Sequence, residues 1–301
     1  MSKLIALAFS DFHLHLWEPK ERTAKQILFY NHLQNLAVRS KVPILFPGDF
    51  FHKWKSIDTE LFCMLYKLAN FSPLYGISGN HDFKHKNSIE NPSPSLFKGL
   101  CNIKPNMVCI DDMRIYNIGK TTEICGIPYL DGNIGFEGAI DNLITKLNPK
   151  LKSILMIHTD LPGAVDIGGR EVDSVTNLEN IYEKLSKFDL VLCGHIHKPQ
   201  ILSQNVIMLG APQAQRKQDL IEQFHYWEIY DDMTLFPQPI PTQYQITWEI
   251  KEEVKKKEIK DNKGKSIKSS NSKRSIIRKY CKENEITSKD KKQALKNIII
   301  K

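Results

Sequence analysis

Leu74-Tyr75-Gly76-Ile77-Ser78-Gly79-Asn80-His81-Asp82 reads as a short apolar strand that empties directly into an amide, an imidazole and a carboxylate. Leu74–Ile77 is short and apolar, as a strand in an α/β fold would be. The same pattern recurs on either side of it. Leu4–Phe9 leads into Asp11-Phe12-His13, and Pro43–Phe46 leads into Gly48-Asp49. Further on, Ser153–Ile157 leads into His158, and Leu190–Cys193 leads into Gly194-His195-Ile196-His197. Helical patterns alternate with these strands: Arg22–Arg39, Asp58–Asn70 with Asp58 as N-cap, and Ile134–Leu147. Asn91–Ser95, with two prolines, reads as a loop. Met107–Ile110, Arg114–Ile118 and Glu123–Gly126 read as one run of strands, and Val206–Leu209 and Tyr226–Tyr230 add more. Alternation of this kind predicts an α/β sandwich with a mixed central sheet. In such a fold, loops at the carboxyl ends of strands share one crevice, so the five polar segments are expected to converge.

Their side chains make a metal-ligand set. Asp11, His13, Asp49, Asn80, His158, His195 and His197 offer carboxylate, amide and imidazole donors. Mixed nitrogen and oxygen donors suit Mn, Fe or Zn better than Mg. Two such cations about 3.5–4 Å apart lower the pKa of water and clamp phosphoryl oxygens, which is what phosphodiester hydrolysis needs. Each segment alone has a bland explanation, such as a turn after a strand or a structural histidine. The five together in one chain predict a dinuclear centre.

The order D-x-H, G-D, G-N-H-D, H, G-H-x-H over about residues 1–230 resembles the calcineurin-like metallophosphoesterase superfamily. The resemblance implies a four-layer αββα sandwich with two mixed sheets. It implies that Asp11, His13 and His197 bind one metal, that Asn80, His158 and His195 bind the other, and that Asp49 bridges them. It places His81 outside the metal shell, touching the scissile phosphate or protonating the leaving oxygen, with Asp82 orienting it. Gly48-Asp49-Phe50-Phe51-His52 lacks the D-R-G of protein phosphatases. With G-N-H-D, it is most similar to the SbcD-type DNA repair and recombination nuclease, where the histidine at His52 helps position DNA. That branch implies a Mn-dependent exo- and endonuclease, a homodimer, and a complex with an SMC-like ATPase. Hydrolysis of small phosphoesters such as nucleotides or cyclic nucleotides is the alternative. A non-catalytic scaffold is disfavoured because no ligand is missing.

Charge is unevenly spread. Residues 251–301 hold 18 Lys/Arg and 7 Asp/Glu, a net of +11, and the other 250 residues carry a net of −3. The basic tail favours DNA or another polyanion, or is a solvated linker. The expected organisation is a nuclease domain over 1–235, a short remnant of a capping region over 236–250, a basic linker over 251–273, and a helix pair over 274–301. In the resembled family such a pair grips the ATPase. The short capping region is closer to compact bacteriophage versions. No apolar run approaches the ~20 residues that span a bilayer. The six cysteines form no C-x-x-C pair and read as buried hydrophobes of a reducing compartment. Met1–Phe9 reads as a strand and not a signal peptide, so a soluble protein of the cytoplasm, or host cytoplasm for a phage protein, is expected.

Overall fold

A computed structural model of the chain describes residues 2–17, 20–54, 59–133, 135–172, 180–215 and 224–246. Among the described residues, twelve strands fall into two sheets of six. The first contains β1 (Leu4–Ala8), β2 (Ile44–Pro47), β3 (Leu74–Ile77), β4 (Met107–Cys109), β11 (His225–Tyr230) and β12 (Leu235–Pro239), in the order β12-β11-β1-β2-β3-β4. The second contains β5 (Tyr116–Ile118), β6 (Thr122–Ile127), β7 (Lys152–His158), β8 (Leu190–Gly194), β9 (Gln200–Ile201) and β10 (Val206–Met208), in the order β5-β6-β7-β8-β10-β9. Both are mixed: β1 to β4 are parallel, β6, β7, β8 and β10 are parallel, and antiparallel strands lie at the edges.

The period of two sorts the side chains into three cores. Ala6 and Ala8, Leu45, Ile154 and Met156, and Leu190 and Leu192 fill the space between the sheets. Their strand neighbours Leu7, Ile44 and Phe46 pack beneath α1 (Glu21–Ser40), α2 (Thr59–Lys67) and α3 (Leu96–Ile103). Leu155, Ile157, Val191 and Cys193 pack beneath α4 (Phe136–Ile144) and α5 (Ile181–Leu185). The result is the expected four layers, and burial on both faces explains why the central strands β2 and β8 read as apolar runs.

Several expectations change. Asn91–Ser95 is not only a loop: Ser95 caps α3, its Oγ accepting from Lys98 N at 3.2 Å. The run from Met107 to Gly126 is split, with β4 closing the first sheet and β5 and β6 opening the second. The Asp111 carboxylate accepts from Ser78 N (2.8 Å) and Ser78 Oγ (2.6 Å), tying that crossing to the end of β3. The boundary expected at 235 falls inside β12, so residues 236–239 belong to the first sheet rather than to a capping remnant. Pro237 and Pro239 are tolerated there because β12 is an edge strand. Asp58, the linker 251–273 and the helix pair 274–301 lie outside the described residues. Among the described residues, no helix is long and apolar enough to cross a membrane.

Candidate metal centre

The five segments do meet. Asp11 and His13 follow β1, Asp49 follows β2, and Asn80-His81-Asp82 forms a single 3-10 turn after β3. His158 is the last residue of β7, and His195 and His197 follow β8. These strands are parallel within each sheet, so their carboxyl ends point the same way. Four of the residues have left-handed backbones: Asp11 (φ 51°), His13 (46°), Asp49 (60°) and His195 (90°). Such conformations cost on the order of 1–3 kcal/mol each and gather at functional sites. The loops also lie very close together. A Cβ on Gly79 would sit 2.1 Å from Asp49 Oδ1, so glycine is required before Asn80.

The histidine hydrogen bonds assign the tautomers. His158 Nδ1 donates to Pro47 O at 2.8 Å, which leaves Nε2 to face Asn80 Oδ1 at 3.0 Å. His195 Nε2 lies 3.2 Å from the Asp160 carboxylate, which leaves Nδ1 to face the same Asn80 Oδ1 at 3.1 Å. Asp49 Oδ2 is 3.4 Å from His158 Nε2. Four lone-pair atoms therefore converge on one space. A second convergence lies beside it: His13 Nε2 and His197 Nε2 are 3.1 Å apart, with Asp11 Oδ1 at 4.0 Å from His13 Nε2. Asp49 Oδ2 is 3.6 Å from His13 Nε2, so one carboxylate oxygen faces both groups. Asp11 is further fixed by the backbone N–H of His195, which donates to its two oxygens at 3.0 and 3.2 Å.

Titration behaviour reflects the same crowding. Burial opposes a charged Asp49, yet His158, His13 and His81 overcome it and hold the carboxyl well below the usual range. Burial opposes a charged His158, but Asp49 and Asp11 push its pKa up to about 9. Burial, together with the neighbouring histidines, holds His13 well below the ordinary imidazole range. The space around His158 thus demands positive charge. A proton on Nε2 supplies one unit, and a divalent ion supplies two while satisfying every converging lone pair. These His and Asp groups suit a dinuclear metal site: in each of the triads Asp11/His13/His197 and Asp49/His158/His195, the ligand atoms all lie within 4.8 Å of one another.

His81 and His52 line the adjoining cavity of about 200 Å³, with His13, Asp49, His195, His197 and Gln215. The His81 backbone N donates to Asp49 Oδ1 at 2.9 Å, and its Nδ1 is hydrogen-bonded to the His52 carbonyl oxygen. His13, His52 and His81 also form a close group, but His13 Nε2 is already turned towards His197 and the carboxylates.

The role expected for Asp82 is corrected. Asp82 is buried and does not orient His81; it accepts from the backbone N–H of Phe50 (3.2 Å), Phe51 (2.9 Å) and Gly79 (2.9 Å). It staples the Asp49 loop to the Asn80 turn, and the His52 carbonyl holds His81 instead. Sequence reasoning missed Asp160, Gln215 and Trp17. Only Asp160 had a signal, standing two residues beyond His158.

The sequence profile of the calcineurin-like phosphoesterases matches residues 6–199, more than half of the chain. The chain belongs to the calcineurin-like phosphoesterase family. The family and the site geometry together make it a metal-dependent hydrolase of phosphoesters. No curated protein matches the chain. Among solved structures, it is similar to a dimetal phosphatase from Danio rerio, with a TM-score of 0.50, 11% identity, and coverage of 79% of this chain and 96% of that one. That likeness shows the phosphoesterase fold. The calcineurin-like phosphoesterase YfkN from Bacillus subtilis aligns with a TM-score of 0.47 at 10% identity, covering 79% and 89%. Nuclease MPE from Pseudomonas putida aligns with a TM-score of 0.31 at 13% identity, covering 77% and 87%.

Proposed function

We propose that this phosphoesterase is a Mn-dependent DNA nuclease that works with an SMC-like ATPase in repair, recombination or replication. The observation that carries the catalytic part is the position of Asp49 Oδ2 between two sets of converging lone pairs. In this reading Asp11, His13 and His197 hold one ion, and Asn80, His158 and His195 hold the other. When bound, the two ions supply charge neutralisation and a nucleophile at neutral pH.

The protein groups do the rest. Asp160 holds His195 in one tautomer, and Pro47 O does the same for His158. His81 keeps its Nδ1–H on the His52 carbonyl, so Nε2 is the atom left to meet the phosphate and, in the imidazolium form, to pass its proton to the leaving oxygen, leaving the neutral ring. His52, at the cavity wall, supports the DNA reading because it adds an imidazole beside the site without joining either triad. The basic 251–273 segment supplies charge for a polyanion, and the 274–301 pattern supplies apolar faces for the ATPase.

Cleavage of end-labelled linear duplex and single-stranded DNA in Mn²⁺ tests this reading, with Asp49→Ala and a chelator as controls. Metal-dependent cutting that disappears in the variant is the expected result. Hydrolysis of bis(p-nitrophenyl) phosphate with no DNA cleavage, alone or with the ATPase, transfers the assignment to small phosphoesters.

A further inference from the structure

The backbone of His52 is tied to the loop after β1, its N donating to Leu14 O at 3.2 Å, but its side chain is anchored differently. Its Nδ1 is buried without a hydrogen-bond partner among the described residues. Its ring is instead held by other rings: Trp17 at 4.5 Å between centroids, His15 at 5.2 Å, and His81 at 5.7 Å in a stacked pair. Trp17 is the fixed member of this group. Its backbone N donates to Thr23 Oγ1 at 2.9 Å, and its indole Nε1 donates to Gln26 Oε1 at 3.1 Å. The Arg22 guanidinium carbon lies 3.5 Å from the indole centroid. Arg22, Thr23 and Gln26 share one buried face at the start of α1, as their spacing requires.

The same residues reach the metal loops. Gln26 Nε2 donates to Phe12 O at 2.8 Å and to His13 O at 3.3 Å. Arg22 Nη2 donates to Gln215 Oε1 at 3.1 Å and to the Ala214 and Gln215 carbonyls. The tryptophan is thus pinned to a rigid helix on one side and touches His52 on the other. Because the His52 carbonyl holds His81 Nδ1, the placement of residue 52 sets the direction of His81 Nε2.

We infer that Trp17 is a positioning residue for the His52–His81 pair, bracing the group that serves the leaving oxygen without contributing to metal binding. The inference rests on the proposed leaving-group role of His81. It predicts a selective defect. Protonation matters little when the leaving group departs easily and much when it does not.

The test is a series of thymidine 5′-aryl phosphates, from p-nitrophenyl to unsubstituted phenyl, with full-length wild type, His81→Ala, His52→Ala, Trp17→Ala, Trp17→Leu and Trp17→Phe. Folding is checked by circular dichroism and Mn²⁺ affinity by calorimetry. For Trp17→Ala the expected kcat loss is under about threefold on the nitrophenyl ester and about tenfold or more on the phenyl ester. KM and Mn²⁺ affinity stay within about twofold, and Trp17→Phe recovers most of the loss. Trp17→Leu, which keeps apolar bulk without the ring, reads the same trend if the alanine variant is unstable. In a His52→Ala background, Trp17→Ala adds no further loss.

A uniform loss across the series, a loss of metal affinity, or full additivity with His52→Ala overturns the inference. If His81→Ala itself shows no dependence on the leaving group, the proposed role of His81 fails. If His81→Ala shows it and both Trp17→Ala and Trp17→Leu do not, the Trp17 inference alone fails.

Discussion

Replacing Asp49 by asparagine keeps the size and one acceptor of the side chain and removes its charge. In the structure Asp49 Oδ2 stands 3.4 Å from His158 Nε2 and 3.6 Å from His13 Nε2, while Oδ1 accepts from His81 N at 2.9 Å. A unit charge pair at 4 Å is worth about 4 kcal/mol at the effective dielectric of a protein surface. A carboxylate therefore attracts each divalent ion by about 8 kcal/mol at that distance. Solvation of the freed ion and relaxation of the loops return part of this. If half is returned, about 4 kcal/mol remains, or roughly three powers of ten in affinity per ion. Titration calorimetry with Mn²⁺, supported by metal analysis after gel filtration, measures it. Wild type is expected to hold two ions and Asp49→Asn to hold one weakly or none, with its fold intact by circular dichroism. An Asp49→Asn protein that binds two ions within about tenfold of the wild-type affinities refutes the bridging assignment.

Other consequences follow from the hydrogen bonds. Asp160→Asn removes the carboxylate at His195 Nε2, and a change of this kind typically weakens metal binding by about 10–100-fold, which calorimetry detects. Asp82→Ala strands the three backbone N–H groups of Phe50, Phe51 and Gly79, costing at least about 3 kcal/mol and lowering the melting temperature by about 6–12 °C, readable in a thermal scan. His158, raised above the usual imidazole value of 6.5 to about 9, must lose a proton to become a ligand. Mn²⁺ affinity is therefore expected to rise with pH, about tenfold per unit between 7 and 9 for one proton released. Without metal the sign reverses. The stability that His158 contributes is full below about pH 6.5 and is lost as pH rises through about 9, which chemical denaturation at several pH values resolves.

The ligand loops were legible because of where their strands lie. β2 and β8 are buried throughout, and β3 and β7 are buried apart from Tyr75 and Lys152, so each carries an apolar run, and the polar residues at its carboxyl end mark the crevice. What failed were inferences from neighbours along the chain. Asp82 follows His81, yet the tight approach of the Asp49 loop presents three N–H donors that claim its carboxylate. Met107 to Gly126 looks like one meander, yet Asp111 anchors the end of β4 to Ser78 and sends the chain to the other sheet. Helix α3 follows a proline-rich segment that signals only a loop until Ser95 is seen to cap it. Trp17, Gln26 and Arg22 touch the site through helix α1, and no spacing rule connects a helix face with a distant loop.

Anomalous diffraction from crystals grown with Mn²⁺ tests the central claim most directly, because it locates the ions without reference to activity. Two peaks are expected, one among Asp11, His13 and His197 and one among Asn80, His158 and His195, with Asp49 between them. A single peak, or ions bound away from these side chains, contradicts the dinuclear centre.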